Sequence, residues 1–331
     1  MKIKVNKEAI IDCLQKVQSV INPRNALPVL SNVLFKAEDG RLELTATDMS
    51  LTVRATMEAE VLEPGATTLP AKRIFGVFRE LSVAEAEMEV NESNIAFINA
   101  ASSYFRIHGI SEADYPSLPE MTDAKVFVFE QAAFRNMLRL TAYAASTDAN
   151  RPLLNGVLLS FKGGKLSVVA TDSRRLALVE HEVEFPADAG IDLIVPLKTV
   201  EELLRTLGDS GPLKILATPK QIAFEFDGTL VVSKLVEGTY PNFRQVLPQA
   251  RIAFRSNNRD VQAEACLAGA GLAVLPRLLG GGVGVSDGAD SRVEMKEGAL
   301  EVRNPYGSKK LGPSTKARIG LAESPAEDPD E

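Results

Sequence analysis

The feature that most constrains this chain is an internal repeat. Residues 27–48, LPVLSNVLFKAEDGRLELTATD, align without a gap on residues 151–172, RPLLNGVLLSFKGGKLSVVATD. Pro28 meets Pro152, Leu30 meets Leu154, Gly40 meets Gly164, and Ala46-Thr47-Asp48 meets Ala170-Thr171-Asp172. A chain that carries one unit twice folds as that unit twice, so the object to derive is a module of roughly 120 residues.

The register extends in both directions. Ile10, Cys13, Leu14 and Val17 form an i, i+3, i+4, i+7 stripe that falls on Phe134, Met137, Leu138 and Thr141. This spacing predicts an amphipathic helix early in each copy. Downstream, Pro70 with Ile74, Val77, Phe78 and Leu81 matches Pro196 with Val200, Leu203, Leu204 and Leu207, a two-residue drift that loops absorb. Each proline precedes its stripe, where a missing N–H and a fixed φ suit a helix start. Ile95-Ala96-Phe97 then resembles Ile222-Ala223-Phe224, and Tyr115-Pro116 resembles Tyr240-Pro241.

VLFKAEDGRLELTAT reads as a hairpin, two strand-like runs around Glu-Asp-Gly. Each copy therefore reads helix, strand, turn, alternating strand, strand, helix, and two or three further strands. A sheet with one apolar face needs a cover, and two helices per copy can supply it. The other helix faces stay free, and a tandem array presents them in a row.

Bulk properties exclude several classes. The 331 residues are 45% hydrophobic and 24% charged, without a run of 18 apolar residues, so no membrane span is expected. The opening MKIKVNKEAIIDC carries no secretory pattern. Cys13 and Cys266 lie far apart among apolar neighbours and read as buried thiols. His108 and His181 are too few and too scattered for a zinc cluster. The expectation is a cytoplasmic protein that needs no metal and no cofactor. A net charge of −7 argues against a wholly basic surface. It leaves room for a basic lining on an acidic body.

No catalytic constellation gathers. Asp48 and Asp172 each end a strand and precede a turn, where a carboxylate can accept from backbone N–H groups. Repetition at one point of both modules favours that structural role. Gly163-Gly164 is a hairpin turn, and the later glycine runs lack a phosphate-binding order. Arg24, Lys72, Arg73, Arg79, Arg135, Arg139, Lys198 and Arg205 lie mostly on or beside the four helices, off the apolar stripes. They would serve either as sequence-independent phosphate contacts or as an ordinary solvated face.

After Pro248 the pattern changes. RIAFRSNNRD offers a strand-like start, and QAEACLAGAGLAVLPRLLGGG reads as a broken helix or a helix–turn–strand. VEMKEGALEV, residues 293–302, is like the hairpin of the other copies, with Glu297-Gly298 at the turn. The final acidic stretch, AESPAEDPDE, is too charged and proline-rich to pack a core.

Four strings carry a resemblance to a known family: Arg24-Asn25-Ala26-Leu27-Pro28-Val29-Leu30-Ser31-Asn32; Arg151-Pro152-Leu153-Leu154-Asn155-Gly156-Val157; Ala170-Thr171-Asp172-Ser173-Arg174-Arg175-Leu176-Ala177; and Glu237-Gly238-Thr239-Tyr240-Pro241-Asn242-Phe243. Over residues 1 to 250 the chain resembles the bacterial DNA polymerase III beta subunit, the replication sliding clamp.

The resemblance implies an α+β DNA clamp fold of tandem modules, each with two helices packed on antiparallel sheet. Its divisions would be 1–120, 121–248, an atypical third module at 249–318, and an acidic tail at 319–331. It implies a non-enzymatic homodimeric ring around double-stranded DNA that tethers the replicative polymerase and clamp loader subunits. The partner pocket it implies comprises Leu154, Thr171, Arg175, Leu176, Pro241 and Val246, and the DNA-facing positions are Arg24, Arg73 and Lys198. Ser173-Arg174 replaces the family's frequent Gly-His, and Asp148 stands where an uncharged polar residue is usual near DNA. The family's Met-Pro-Met-Arg-like ending is absent, and residues 252–279 resemble instead a ligand-binding segment of LysR-type regulators. An alternative stays open: an adaptor that keeps the clamp scaffold without closing a ring.

Overall fold

The computed structural model describes residues 1–21, 27–117, 121–183, 185 and 190–247, together with the strands 273–276, 292–296, 299–304 and 307–311. Arg24, Cys266, the strand-like start expected at 251–260 and the acidic tail therefore lie outside the described residues.

The four predicted helices form where the stripes placed them. Helix α1 is Lys7–Gln18; the Asn6 side chain accepts from Glu8 N–H at 2.9 Å and Ala9 N–H at 3.2 Å, satisfying two donors that the first turn leaves unpaired. Its face of Ile10, Cys13, Leu14 and Val17 is buried. Helix α2 is Ala71–Glu80, which buries Ile74 and Phe78, and α3 is Gln131–Arg139, which buries Phe134, Met137 and Leu138. Helix α4 is Leu197–Thr206 and buries Val200 and Leu203. Pro70 and Pro196 sit at the N-terminal boundaries of α2 and α4, as the repeat required.

The hairpins repeat in geometry as well as in sequence. Asn32–Glu38 pairs with Arg41–Thr47, and Gly156–Lys162 with Lys165–Thr171. Both turns hold two left-handed residues: Asp39 at φ +50° and Gly40 at +73°, Gly163 at +61° and Gly164 at +71°. That combination follows the right-handed twist of the flanking strands, and only glycine, asparagine or aspartate adopts it at low cost.

The sheets do more than the repeat foretold. In an eight-stranded antiparallel sheet, Thr229–Lys234 from the end of the second copy pairs with Leu51–Glu58 of the first, Val231 opposite Val53. Both valines are fully buried. The two copies thus share one continuous sheet and one hydrophobic core. Five-stranded sheets flank it, one containing Ser103–His108 as an edge strand. In the other, Ala273–Pro276 adds to the edge at Arg175–Leu178. This strand lies within the segment read as a broken helix or a helix–turn–strand, the rest of which lies outside the described residues. Arg292–Lys296, Ala299–Asn304 and Gly307–Leu311 form a separate three-stranded sheet that contains the hairpin read in VEMKEGALEV. None of the described helices is long and apolar enough to cross a membrane.

Candidate functional site

The sheet of the second copy is apolar on both faces. Along its strands Val157, Leu159, Phe161, Val168, Ala170, Ala177, Leu193 and Val195 enter the main core. The alternate residues Leu158, Val169, Leu176, Leu178 and Ile194 form a second apolar cluster on the outward face. Tyr240 and Phe243 pack into it, with Leu153, Val236 and Leu247 around them.

The first copy differs at these positions. Leu158, Val169, Leu176, Leu178 and Ile194 occupy the sheet positions of Leu34, Thr45, Thr52, Arg54 and Thr68, as matching cross-strand partners confirm. Four polar residues have become aliphatic. The five aliphatic residues of the second copy are buried beneath Tyr240 and Phe243, whereas the first copy buries threonines at three of these positions. An aliphatic outer face is suited to receiving apolar side chains from elsewhere.

Of the six residues assigned to a partner pocket, Leu176 belongs to this cluster directly. Thr171 stands beside it: its N–H donates to the Tyr240 hydroxyl at 3.1 Å, and its own hydroxyl donates to Arg175 O at 2.6 Å. Arg175 is exposed at the cluster's rim, Leu154 is half-buried, and Pro241 is exposed next to Tyr240. Val246 ends the short helix Phe243–Val246, and its side chain lies outside the described residues. Tyr240, Phe243, Val169, Leu178 and Ile194 were missed from the sequence.

The aspartates act as structural caps. Asp172 Oδ1 accepts from Arg174 N–H at 2.9 Å and Arg175 N–H at 3.0 Å, while Oδ2 accepts from Arg175 Nε at 3.1 Å. Asp48 repeats the arrangement with Ser50 N–H at 2.9 Å and Leu51 N–H at 2.8 Å. Burial pushes the Asp48 carboxyl up, but the Lys198 ammonium and the donors of Leu51 and Ser50 outweigh it and hold it below the ordinary carboxylate value. The residue after each Asp is left-handed, Met49 at φ +77° and Ser173 at +75°. That geometry explains why glycine is frequent there in the resembled family.

The helix cations divide into two groups. Lys198 pairs with Asp48 across the two copies, Arg135 with Asp209 at 2.8 Å, and Arg79 with Glu80 at 3.1 Å. Arg139 donates to the Asn136 side chain at 3.1 Å. Arg205 reaches back to the C-terminus of α1, donating to Lys16 O at 2.9 Å and the Ser19 hydroxyl at 2.8 Å while paired with Glu202. Lys72 and Arg73, at the start of α2, are exposed and make no ion pair among the described residues. Asp148 is engaged in its own turn, accepting from Asn150 N–H at 2.9 Å and standing 3.8 Å from Arg151 Nε. Cys13 is buried on the core face of α1, and burial pushes its thiol up to about 11. No group of three or more side chains suited to a metal ion occurs among the described residues.

Repeated sheet-and-helix modules joined edge to edge, with a second apolar cluster on the outward face of the second, define a tandem clamp scaffold. The comparisons with known proteins agree. The N-terminal domain of the DNA polymerase III beta subunit matches residues 1–119, and its central domain matches residues 128–242. The beta sliding clamp of Chlamydia muridarum is 34% identical over 247 residues, covering 75% of this chain and 68% of that protein. The beta sliding clamp of Escherichia coli K12 is 33% identical over 254 residues with the same coverage. The crystal structure of a sliding clamp from Pseudomonas aeruginosa bound to griselimycin superposes with a TM-score of 0.73 at 27% identity, covering 94% of this chain and 84% of that one. The Bacillus subtilis clamp reaches 0.74 at 22% identity, a likeness of fold.

The chain belongs to the DNA polymerase III beta subunit family, the bacterial beta sliding clamps. Its members are non-catalytic processivity factors of DNA replication.

Proposed function

We propose that this chain is a processivity clamp that encircles duplex DNA and holds its partners through the outward apolar face of its second module. The observation that carries the docking reading is the exchange of Thr45, Thr52, Arg54 and Thr68 for Val169, Leu176, Leu178 and Ile194 between copies. Leu154, Thr171, Arg175, Leu176, Pro241 and Val246 would contact peptide segments of the polymerase and clamp loader. Tethering acts by raising the effective concentration of polymerase at the primer end.

Sheet pairing supports the ring. Thr229–Lys234 joins the two copies by adding to a neighbouring edge. Its counterpart in the first copy, Ser103–His108, is an edge strand among the described sheets and would accept a second chain. A head-to-tail homodimer follows if the region after residue 248 supplies the matching edge. The module divisions 1–120, 121–248 and 249–318 belong to this reading, with Arg24, Arg73 and Lys198 toward phosphate. Lys198 would then be shared between Asp48 and DNA.

The test of docking is Leu176→Asp, which sets a carboxylate among aliphatic side chains. Polymerase and clamp loader binding is expected to fall by at least about a hundredfold. Unchanged affinity with a folded variant removes this face from consideration. Sedimentation of the full chain separates the ring from the open adaptor: a dimer supports closure, and a monomer at micromolar concentration supports the adaptor.

A further inference from the structure

The eight-stranded sheet carries an apolar row on its outward face, away from the main core. Lys125–Glu130 is the end strand of that sheet among the described residues, and it buries Phe127 and Phe129. The alternate side chains, Val126 and Val128, point to the opposite face and are 48% and 63% exposed. Val126 stands opposite Leu216, Leu216 opposite Ala223, and Ala223 opposite Val232, so the row runs inward across four strands. Its inner end is buried at Ala223 and Val232, Leu216 is half-buried, and its outer end is open.

The first copy places charges at these positions. Under the offset of the repeat, Val126 and Val128 fall on Lys2 and Lys4, and their cross-strand partners Leu216 and Lys214 fall on Glu89 and Glu87. There Lys2 pairs with Glu87 at 2.7 Å and Glu89 at 3.6 Å, and Lys4 pairs with Glu60 at 3.2 Å. An ion-paired surface in one copy is thus an aliphatic one in the other. Side chains as exposed as Val126 and Val128 add little to their own fold, and a contiguous apolar row marks a contact surface.

The rim of the row is basic. Lys214 lies beside Val128, where the first copy has Glu87, and pairs with Glu225 at 3.4 Å. Lys234 shares the face of Val232, and Lys220 occupies the turn before Gln221–Phe226; both are exposed and make no ion pair among the described residues. The occupant that fits is an extended segment with apolar residues at i and i+2 followed by acidic ones.

The chain contains such a segment. Arg318-Ile319-Gly320-Leu321 is followed by Glu323, Glu327, Asp328, Asp330 and Glu331, with no basic residue after Arg318. Ile319 and Leu321 have the spacing of Val126 and Val128. Leu311 is the last described residue, and the chain from there to Ile319 can span roughly 28 Å when extended.

We propose that residues 318–331 of this chain dock on the outward row at Val126 and Val128, with Ile319 and Leu321 on the valines and the acidic run beside Lys214, Lys220 and Lys234. The seat covers an apolar end strand that would otherwise recruit strands from other chains. It lies on a different sheet from the Leu176 cluster and stands or falls separately from it.

The test replaces Val128 of the full chain with the photo-crosslinking residue p-benzoylphenylalanine and maps the linked peptides by mass spectrometry. The expected product is a chain of monomer size linked within residues 318–331. Neutralising the tail with E323Q, E327Q, D328N, D330N and E331Q together is expected to lower the yield about threefold at low salt. The pair I319S and L321S is expected to lower it to background, with folding of each variant checked by thermal melting. The same probe at Lys4, on the charged surface of the first copy, is expected to give no tail product. Links to a second chain, links to another segment, or no links at all would each overturn the seat. A yield unmoved by the neutralised tail would overturn the charge matching.

Discussion

Arg205 provides the sharpest test of how the two copies are held together. The side chain leaves α4 in the second copy and ends at the C-terminus of α1 in the first. There it donates to Lys16 O at 2.9 Å, to the Ser19 hydroxyl at 2.8 Å and to Gln15 O at 3.4 Å. The last carbonyls of a helix have no partner within it and carry the negative end of the helix dipole, so a guanidinium there is doubly suited. Glu202, whose side chain is only 6% exposed, pairs with the same guanidinium.

Arg205→Ala removes these hydrogen bonds and leaves Glu202 without its cation. Hydrogen bonds involving a charged group are worth about 1.5–3 kcal/mol each when fully desolvated. The Arg205 side chain is 42% exposed, so solvent screening discounts them. The net expectation is a loss of about 2–3 kcal/mol, most of it from the nearly buried carboxylate. With a urea dependence of about 1–3 kcal/mol per molar, the midpoint falls by roughly 1 M. Arg205→Lys restores less than half, because an ammonium cannot span two carbonyls and a carboxylate at once. Amide exchange at Val20 and Ile21, which donate to Val17 O and Gln18 O, accelerates in the alanine variant. A midpoint shift below about 0.2 M with unchanged exchange would refute the brace and return Arg205 to the class of solvated surface cations.

Three further expectations concern single positions. Ser173→Gly relieves a left-handed φ of +75° and is expected to stabilise the chain by about 0.5–1 kcal/mol, read as a higher melting temperature; destabilisation would contradict the strain. Asp48 has a depressed folded-state pKa, so its stabilising contribution is present above the ordinary carboxylate value and is lost as pH falls through the lower folded value. The urea midpoint of Asp48→Asn should therefore drop less between pH 7 and pH 3 than that of the wild type, and an equal drop would sink the linkage. Cys13, with its thiol pushed up to about 11, should be alkylated by iodoacetamide at pH 8 on the order of a hundredfold more slowly than a free thiol in site-resolved mass spectrometry. Rapid modification would place Cys13 outside the core.

The helices were legible because the stripe of Ile10, Cys13, Leu14 and Val17 and its counterparts obey a 3.6-residue period that only one face of a helix satisfies. The caps at Asp48 and Asp172 were legible because a short carboxylate after a strand has few alternatives. The shared eight-stranded sheet was not, since the run Thr229–Lys234 reads as a buried strand without any signal of which edge is its neighbour. The role of Arg205 depends on that same packing and has no local signature. The outer apolar cluster was partly hidden for another reason. LSVVA, residues 166–170, is apolar at every position but Ser167 and reads simply as a buried strand. Only comparison of Val169 and Leu176 with Thr45 and Thr52 of the first copy sets the outer apolar face of the second module apart.

Retention on DNA tests the central claim most directly. The full chain is loaded by a clamp loader onto nicked circular duplex, passed through gel filtration at about 0.3 M salt, and the circle is then cut once. Contacts made by a few lysines and arginines are lost at such salt, whereas topological linkage does not depend on them. A ring predicts co-elution with the intact circle and release after the cut, with Arg73→Glu affecting loading more than retention. Equal release from circular and linear DNA at every salt concentration would contradict encirclement.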